Sequence, residues 1–570
     1  MLYKKLAEFY EEVSATTKRL EKTKILASFL KQIHETDKDV LYLLLGDIYP
    51  EYDERRIGIS NQLAIKAISK GTGTEEKEVI KEWKSIGDLG KVAEKLMKYK
   101  KQSTLHKSVL TIEKVIGNLR KLPELEGKGS VNKKLALITE LFTSASPIGS
   151  LYLTRTLIGD LRIGLKESTI RESMSSAFFS EDKRKEASKK IQDAIDKSND
   201  IAIVFEIARK GKIKNLEKIL LEVGKPIKAM LAQKANNIQD GFKALGKPCA
   251  VEYKYDGFRL IIHKKNDEII LFTRRLENVT KQFPEVANYV KKYVKGKSFI
   301  LDSEAVGFDK KTHEYKPFQS ISQRIRRKYD IGKIQEELPV EINIFDILYY
   351  NGKSLLHEPF KKRTALLKKI VQKQKYKITQ VKQIITGDEK KANEFYKQAL
   401  KDNQEGVMMK NLDARYNPGS RVGHMLKVKP EERDYDLVIV GAEYGTGKRS
   451  GWMSSFILGC KDGKEFLEIG KVGTGIKEKQ KEEGTTFEEL TKKLTPLIIK
   501  ETGKLVQVKP KIVFSVTYQE IQKSPNYNSG FALRFPRFTA LRTDKPSSEI
   551  TTLKEIKEDF ENQKRNYRYG

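Results

Sequence analysis

Two cysteines, Cys249 and Cys460, are all that this 570-residue sequence contains. That excludes a disulfide framework and makes a reducing, cytosolic setting the expectation. Histidine is scarce too, at 6. Without a CxxC, HExxH or Cys/His cluster, no structural zinc site is expected. No apolar run approaches the roughly 18 residues needed to span a bilayer, so a membrane is not an expected partner. The opening MLYKKLAEFYEEV mixes charge and apolar groups like a surface helix, unlike a signal peptide. Proline is sparse at 16, while 24 Tyr and 24 Phe supply a core, which excludes a disordered chain. Acidic residues are the minority charge, 77 against 110 Lys plus Arg, leaving a net +33.

The length suggests about two to four domains. The excess charge is no tail: it is +11 over 1–230, +17 over 231–433 and +5 over 434–570. Several surfaces facing one polyanion fit that spread. Nucleic acid is the leading polyanion, since Lys and Arg bind phosphate without regard to sequence.

Residues 1–220 read as helical. TTKRLEKTKILASFLKQI, EKEVIKEWKSI, GKVAEKLMKYK and NKKLALITELFTS repeat apolar residues at helical spacing, and Gly and Pro break them up. From about 248 the pattern alternates: CAVEYKYDGFRLIIHKK, EIILFTRR, FILDSEAVGF and VEINIFDILYYNGKSL predict strands, with KKRTALLKKIVQKQ and KKANEFYKQALKD as helices. From 434 to the end about five strands are expected around one helix, EEGTTFEELTKKLTPLIIK, as in a small barrel such as an OB-fold. The expectation is therefore multidomain: an all-α domain over 1–225, an α+β domain over 226–432 and a β-barrel domain over 433–570.

The sharpest local feature is Lys254-Tyr255-Asp256-Gly257-Phe258-Arg259, directly after a strand-like run. KYDGFR resembles the first motif of the covalent nucleotidyltransferases, the superfamily of ATP-dependent ligases and mRNA capping enzymes. Six further segments resemble that superfamily's motifs in order: FTRRLENVTKQFPE, FILDSEAVGFD, FDILYYNGKSL, EGVMMK, HMLKVK and LRFPRFTALRTDK. Within it, the chain resembles the replicative-type ATP-dependent DNA ligases of archaea and eukaryotes over nearly its whole length. LYLTRTLIGDLRIGL is similar to the signature of their helical DNA-binding domain, and GTGKRSGWMSSFILG with KVGTG to their barrel. The short chain looks more archaeal than eukaryotic.

The resemblance implies an adenylation domain flanked by a DNA-binding domain and an OB-fold. It implies sealing of 5′-phosphate/3′-hydroxyl nicks in duplex DNA through a lysyl-AMP formed from ATP, in DNA replication, repair and recombination. Lys254 is the implied nucleophile. A lysine amine attacks only when neutral, a form that nearby cations favour. Glu252, Arg259, Arg274, Glu304, Phe345, Arg421 and Lys427 match ATP-binding positions. Glu252 would meet the adenine amino group and Phe345 would stack on the base. Lys429, Arg542 and Lys545 match phosphate-contacting positions; Arg534 and Arg537 are cationic alternatives in the last motif. Glu304 and Glu405 match magnesium positions, where manganese is the alternative ion. Lys427 and Lys429, two apart, would share one face of a strand, as would Asp302 and Glu304.

For DNA contact, Arg155, Gly159, Arg162, Gly164, Lys448 and Arg449 fall in the matching segments. A nick is read through backbone and shape, so phosphate contacts should dominate. A sliding clamp is a further expected partner, without an identified clamp-binding peptide. A monomer in the cytoplasm, associated with the nucleoid, completes the expectation. An RNA ligase or a GTP-using capping enzyme would share KxDG and the barrel, but by resemblance not the long helical N-terminal region.

Overall fold

The computed structural model describes residues 1–99, 109–316, 318–325, 327, 329–430, 433–445, 449, 451–478 and 484–566. The chain forms two compact units. One comprises 1–393 with 407–428, the other 394–406 with 429–570.

In the first unit, helix follows helix from Tyr3–Ser14 to Ile213–Glu217. The expected helices form at Arg19–Gln32, Glu76–Ile86, Leu89–Lys98 and Ser130–Ser144. Their apolar stripes meet in one core that includes Leu6, Tyr10, Leu41, Ile65, Leu141, Tyr152 and Phe205. The helix Pro147–Leu157 runs through that core, buried along its length from Gly149. Its start is set by Ser146, whose hydroxyl accepts from Gly149 N, and by Pro147 at the first position. Thr154 and Thr156 lie inside without loss because their hydroxyls donate back to Ser150 O and Tyr152 O, at 2.7 and 2.9 Å.

Among the described residues, the remainder of this unit carries twelve strands: β1 Leu231–Ala235, β2 Cys249–Lys254, β3 Phe258–Lys265, β4 Glu268–Thr273, β5 Ser298–Phe308, β6 Tyr315–Lys316, β7 Val340–Tyr350, β8 Lys353–Ser354, β9 Ile378–Gln380, β10 Gln383–Thr386, β11 Gly406–Lys410 and β12 Arg421–Val428. One sheet has the order β1-β12-β11-β2-β10. The other runs β4-β3-β5-β7-β8, with β6 on β5 and β9 on β7. The chain passes from the first sheet to the second through the KYDG turn between β2 and β3. The second sheet buries Phe258, Leu260, Leu301, Ile342, Ile344 and Ile347 on one face. On the other lie Ile261, Ile300 and Leu348, packed with Tyr416 and Met425. No helix among the described residues is long and apolar enough to cross a membrane.

The second unit has β13 Arg433–Tyr444, β14 Met453–Asp462, β15 Glu465–Val472, β16 Ile498–Thr502, β17 Leu505–Val508, β18 Val513–Tyr518, β19 Glu520–Lys523, β20 Phe531–Arg534 and β21 Arg537–Leu541. Seven of these form one sheet with β13 inside it, paired with β14 and, along different stretches, with β17 (through 441–443) and β18 (through 433–438). The expected helix is shorter than its sequence suggested. Phe487–Leu494 is α-helical and Thr495–Leu497 adds one 3-10 turn; Ile498–Thr502 then runs as a strand and returns as β17 through Gly503. A second helix, Leu553–Asn566, also packs on this core through Leu553, Ile556 and Phe560. Cys249 and Cys460 are both buried and free, and burial pushes each thiol up to about 11, so neither is a reactive thiolate.

Candidate active site

Lys254 is the last residue of β2, half-buried where its neighbours on the strand are buried. The turn after it needs a glycine for space. A Cβ on Gly257 would stand 2.3 Å from Ala305 O and 3.0 Å from Glu304 Cγ. The turn thus lies directly on β5 at Glu304. Phe258, the next residue, is a core side chain against Phe283, ring centroids 4.9 Å apart.

Glu252 sits two residues before the lysine and is buried. It pairs with Lys410 of β11 at 2.6 Å and accepts from Gln383 Nε2 at 2.7 Å. Burial pushes its carboxyl up, while Lys410 and Gln383 hold it down. The Lys410 ammonium also stands 4.8 Å from the Phe345 ring centroid, and the Arg259 guanidinium stands 5.2 Å from it. Phe345 owes its position to a β-bulge: Asp302 pairs with Asp346 and Ser303 with Ile344, which leaves Phe345 between them without a partner on β5. Glu252, Lys410, Phe345 and Arg259 are therefore brought together as one buried acid, two cations and an aromatic face.

Arg259 is largely committed within the fold. Its Nε and Nη2 both bond Asp302, its Nη1 donates to Met230 O at 2.9 Å, and its Nη2 donates to Tyr416 Oη at 3.0 Å. Asp302 is fully buried and also accepts from Tyr416 Oη at 2.7 Å. Behind Phe345, Arg363 forms a second buried fork on Asp346, at 2.7 and 3.0 Å. Sequence reasoning marked Lys410 in EGVMMK but not its pairing with Glu252; it missed Asp302 as the partner of Arg259, and missed Tyr416 and Arg363. Alternation along β5 did put Asp302 on the face of Glu304, which was the available signal.

Glu304 lies half-buried on β5, directly opposite Arg259 of β3. Lys427 is on β12, opposite Met408 of β11 and Lys234 of β1. The strand ends at Val428, so alternation places Lys427 but does not extend to Lys429. Lys429 belongs to the second unit, where it pairs with Glu405. Arg421, at the start of β12, and Arg274, in the turn after β4, are exposed. Among the described residues, no group of three or more His, Cys, Asp and Glu could hold a metal ion. Magnesium commonly takes one or two carboxylates and completes its shell with phosphate oxygens and water, and Glu304 suits that mode.

In the second unit, Arg542 and Lys545 converge on Asp436 of β13. Arg542 Nη1 and Lys545 Nζ each lie 2.8 Å from Asp436 Oδ2, and Arg542 also forks onto Asp544. Arg534 instead pairs with Glu520 at 3.0 Å. Arg449 pairs with Glu478 at 2.7 Å and stacks on Phe487; Lys448 lies outside the described residues.

The helical segment corrects one expectation. Arg155 is buried, bonded to Asp88 at 2.7 Å and stacked on Tyr152, so it braces the core instead of facing a duplex. Asp88 caps the helix Leu89–Lys98, accepting from Gly90 N and Lys91 N. Gly159, Arg162 and Gly164 are exposed on the loop that follows Pro147–Leu157, all with positive φ: +70°, +59° and +67°. Asp88 and Asp160 hold Arg162 in that strained conformation.

Three family models match the chain: the ATP dependent DNA ligase domain over 229–429, the DNA ligase N terminus over 2–175, and the ATP dependent DNA ligase C terminal region over 449–545. The chain belongs to the ATP-dependent DNA ligase family. It is 44% identical to a DNA ligase of Nanoarchaeum equitans (strain Kin4-M), over 99% of each chain. A DNA ligase of Thermococcus onnurineus (strain NA1) is 40% identical, again over 99% of each. Among solved structures, Pmar-Lig_PreS3 shares the fold at a TM-score of 0.59 and 18% identity, covering 94% of this chain and 99% of its own. An N-terminal helical region, a central adenylation region and a β-rich C-terminal region are the family's layout here.

Proposed function

We propose that the chain seals 5′-phosphate/3′-hydroxyl nicks in duplex DNA through a covalent adenylate on Lys254. The Lys254 amine attacks the α-phosphorus of ATP and loses its proton; the bond to the β-phosphate oxygen breaks and pyrophosphate leaves. A 5′-phosphate oxygen at the nick then takes the AMP and releases the lysine. Last, the 3′-hydroxyl attacks the activated 5′-phosphorus, a phosphodiester forms and AMP departs. Positioning and charge neutralisation carry such transfers, so a pocket rich in fixed cations is what they require.

The observation that carries this reading is the position of Lys254 on β2, two residues after Glu252, with Lys410 paired to that acid and Phe345 beside Lys410. Glu252 suits recognition of an exocyclic amine, and Phe345 suits stacking. Arg259 shapes the site and has a single guanidinium hydrogen left for a ribose hydroxyl. Arg274, Arg421, Lys427 and Lys429 complete the proposed nucleotide set, with Arg542 and Lys545 directed at the leaving pyrophosphate. A magnesium or manganese ion, held by Glu304 and Glu405, would supply charge neutralisation at the phosphates. Gly159, Arg162, Gly164, Lys448 and Arg449 are the proposed DNA contacts.

We assign an all-α DNA-binding domain to 1–225, the adenylation domain to 226–432 and an OB-fold to 433–570. The protein would act as a cytoplasmic, nucleoid-associated monomer in replication, repair and recombination, with a sliding clamp as a candidate partner. The test uses ATP labelled in the α-phosphate. The wild type should form labelled protein and join a nicked duplex. Lys254→Ala should do neither while still binding the nick. Labelled protein from that variant would sink the mechanism.

A further inference from the structure

Asn343 is out of keeping with its surroundings. It stands in β7 between Ile342 and Ile344, is fully buried, and neither its Nδ2 nor its Oδ1 has a hydrogen-bond partner. Buried amides are nearly always paired, because desolvation without a partner lowers stability. A valine or isoleucine would suit this strand with no such penalty.

Its neighbours indicate what the amide serves. Asn343 lies directly opposite Glu304 on β5; Glu304 in turn lies opposite Arg259, and Asn343 is flanked by Thr379 of β9. Directly opposed residues share a face, with Cβ atoms about 4.5–5.5 Å apart. The amide is therefore within reach of the Glu304 carboxylate. The lysine turn lies on the same glutamate, as the space around Gly257 shows.

We propose that Asn343 is a positioning residue for Glu304. With nucleotide and magnesium bound, its Nδ2–H donates to one carboxylate oxygen and leaves the other aimed at the cation. The inference rests on Glu304 being the metal carboxylate of the proposed function. Partners behind a metal ligand fix its orientation, and removing one typically lowers metal affinity or activity by about 10–100-fold.

The experiment compares Asn343→Val with Asn343→Thr. The two side chains have nearly the same shape and differ in one hydroxyl donor. Two quantities are read: the magnesium dependence of lysyl-AMP formation, and the rise in melting temperature on adding magnesium with a non-hydrolysable ATP analogue. The Val variant should melt higher than wild type without ligand, need about tenfold or more magnesium for half-maximal adenylylation, and lose most of the ligand-induced rise. The Thr variant should recover much of both. Equal magnesium responses in the two variants would overturn the proposal. A Val variant that melts lower without ligand would overturn it too, since the amide would then be satisfied in the resting protein. If the wild type formed no adenylate on Lys254, the proposed function would fail instead, and the thermal measurement would still report on Asn343.

Discussion

Gly257 shows how much one missing side chain decides. Its role is space: Ala305 O lies where a Cβ would go, and that oxygen is backbone and cannot rotate away. Gly257→Ala should therefore displace the turn and cut lysyl-AMP formation by at least about 100-fold, since misplacement of about 1 Å can have that effect. An adenylylation rate within a few-fold of wild type would contradict this. Arg363 is the complementary case. Its fork on Asp346 is almost wholly buried, so Arg363→Ala strands a carboxylate inside the protein. Such a loss costs about 3–5 kcal/mol, readable as a lower denaturant midpoint. Local spacing made Lys254 and Glu304 legible, because a motif is a string of neighbours. It could not show who pairs with whom. Asp88 claims Arg155 across 67 positions and Asp436 claims Arg542 across 106, and those pairings exist only in the fold.

Among elements, β3 carries a built-in pH response. His263 is fully buried, and its Nδ1 accepts from Gly224 N at 3.0 Å. Burial pulls its pKa from near 6.5 down to about 3. The unfolded chain therefore binds this proton more readily than the folded one. The associated stability is complete above about pH 6.5 and is lost as pH falls toward 3, at up to about 1.4 kcal/mol per pH unit. The melting temperature of His263→Gln should fall less steeply than that of wild type between pH 6.5 and 4; parallel curves would refute the assignment. Strands β2, β3, β5 and β7 were legible because short β-branched and aromatic runs bounded by turns mark strands, here buried on both faces. The hairpin β16–β17 was not. Its Ile498 and Ile499 continue an apolar run that begins in the helix Phe487–Leu494, and periodicity does not mark where one element ends inside such a run. The bulge that aims Phe345 was equally hidden, since it is a property of pairing between strands.

For the whole molecule, the net charge of +33 makes a prediction about salt. Each phosphate contact releases counterions, so nick binding should weaken by about 10³-fold or more between 50 and 200 mM salt if six or more contacts form. Adenylylation, which draws on a few buried or paired groups, should change far less over that range. Equal salt responses of the two would argue against separate catalytic and electrostatic uses of the charge. The three-region layout was legible from the change of apolar periodicity along the chain, yet the compact units are two, with helices and both central sheets in one. The cluster at Asp436 adds a consequence for selectivity. Arg542 and Lys545 are matched there by Asp436 and Asp544, so the four side chains carry no net charge. A phosphodiester backbone, with one charge per linkage, meets no attraction at that spot. A triphosphate brings several charges within a few ångströms and competes with two carboxylates at once. If Arg542 and Lys545 meet the pyrophosphate as proposed, the cluster would act as a filter for charge density, holding two cations of a strongly cationic protein apart from a polymer of single charges.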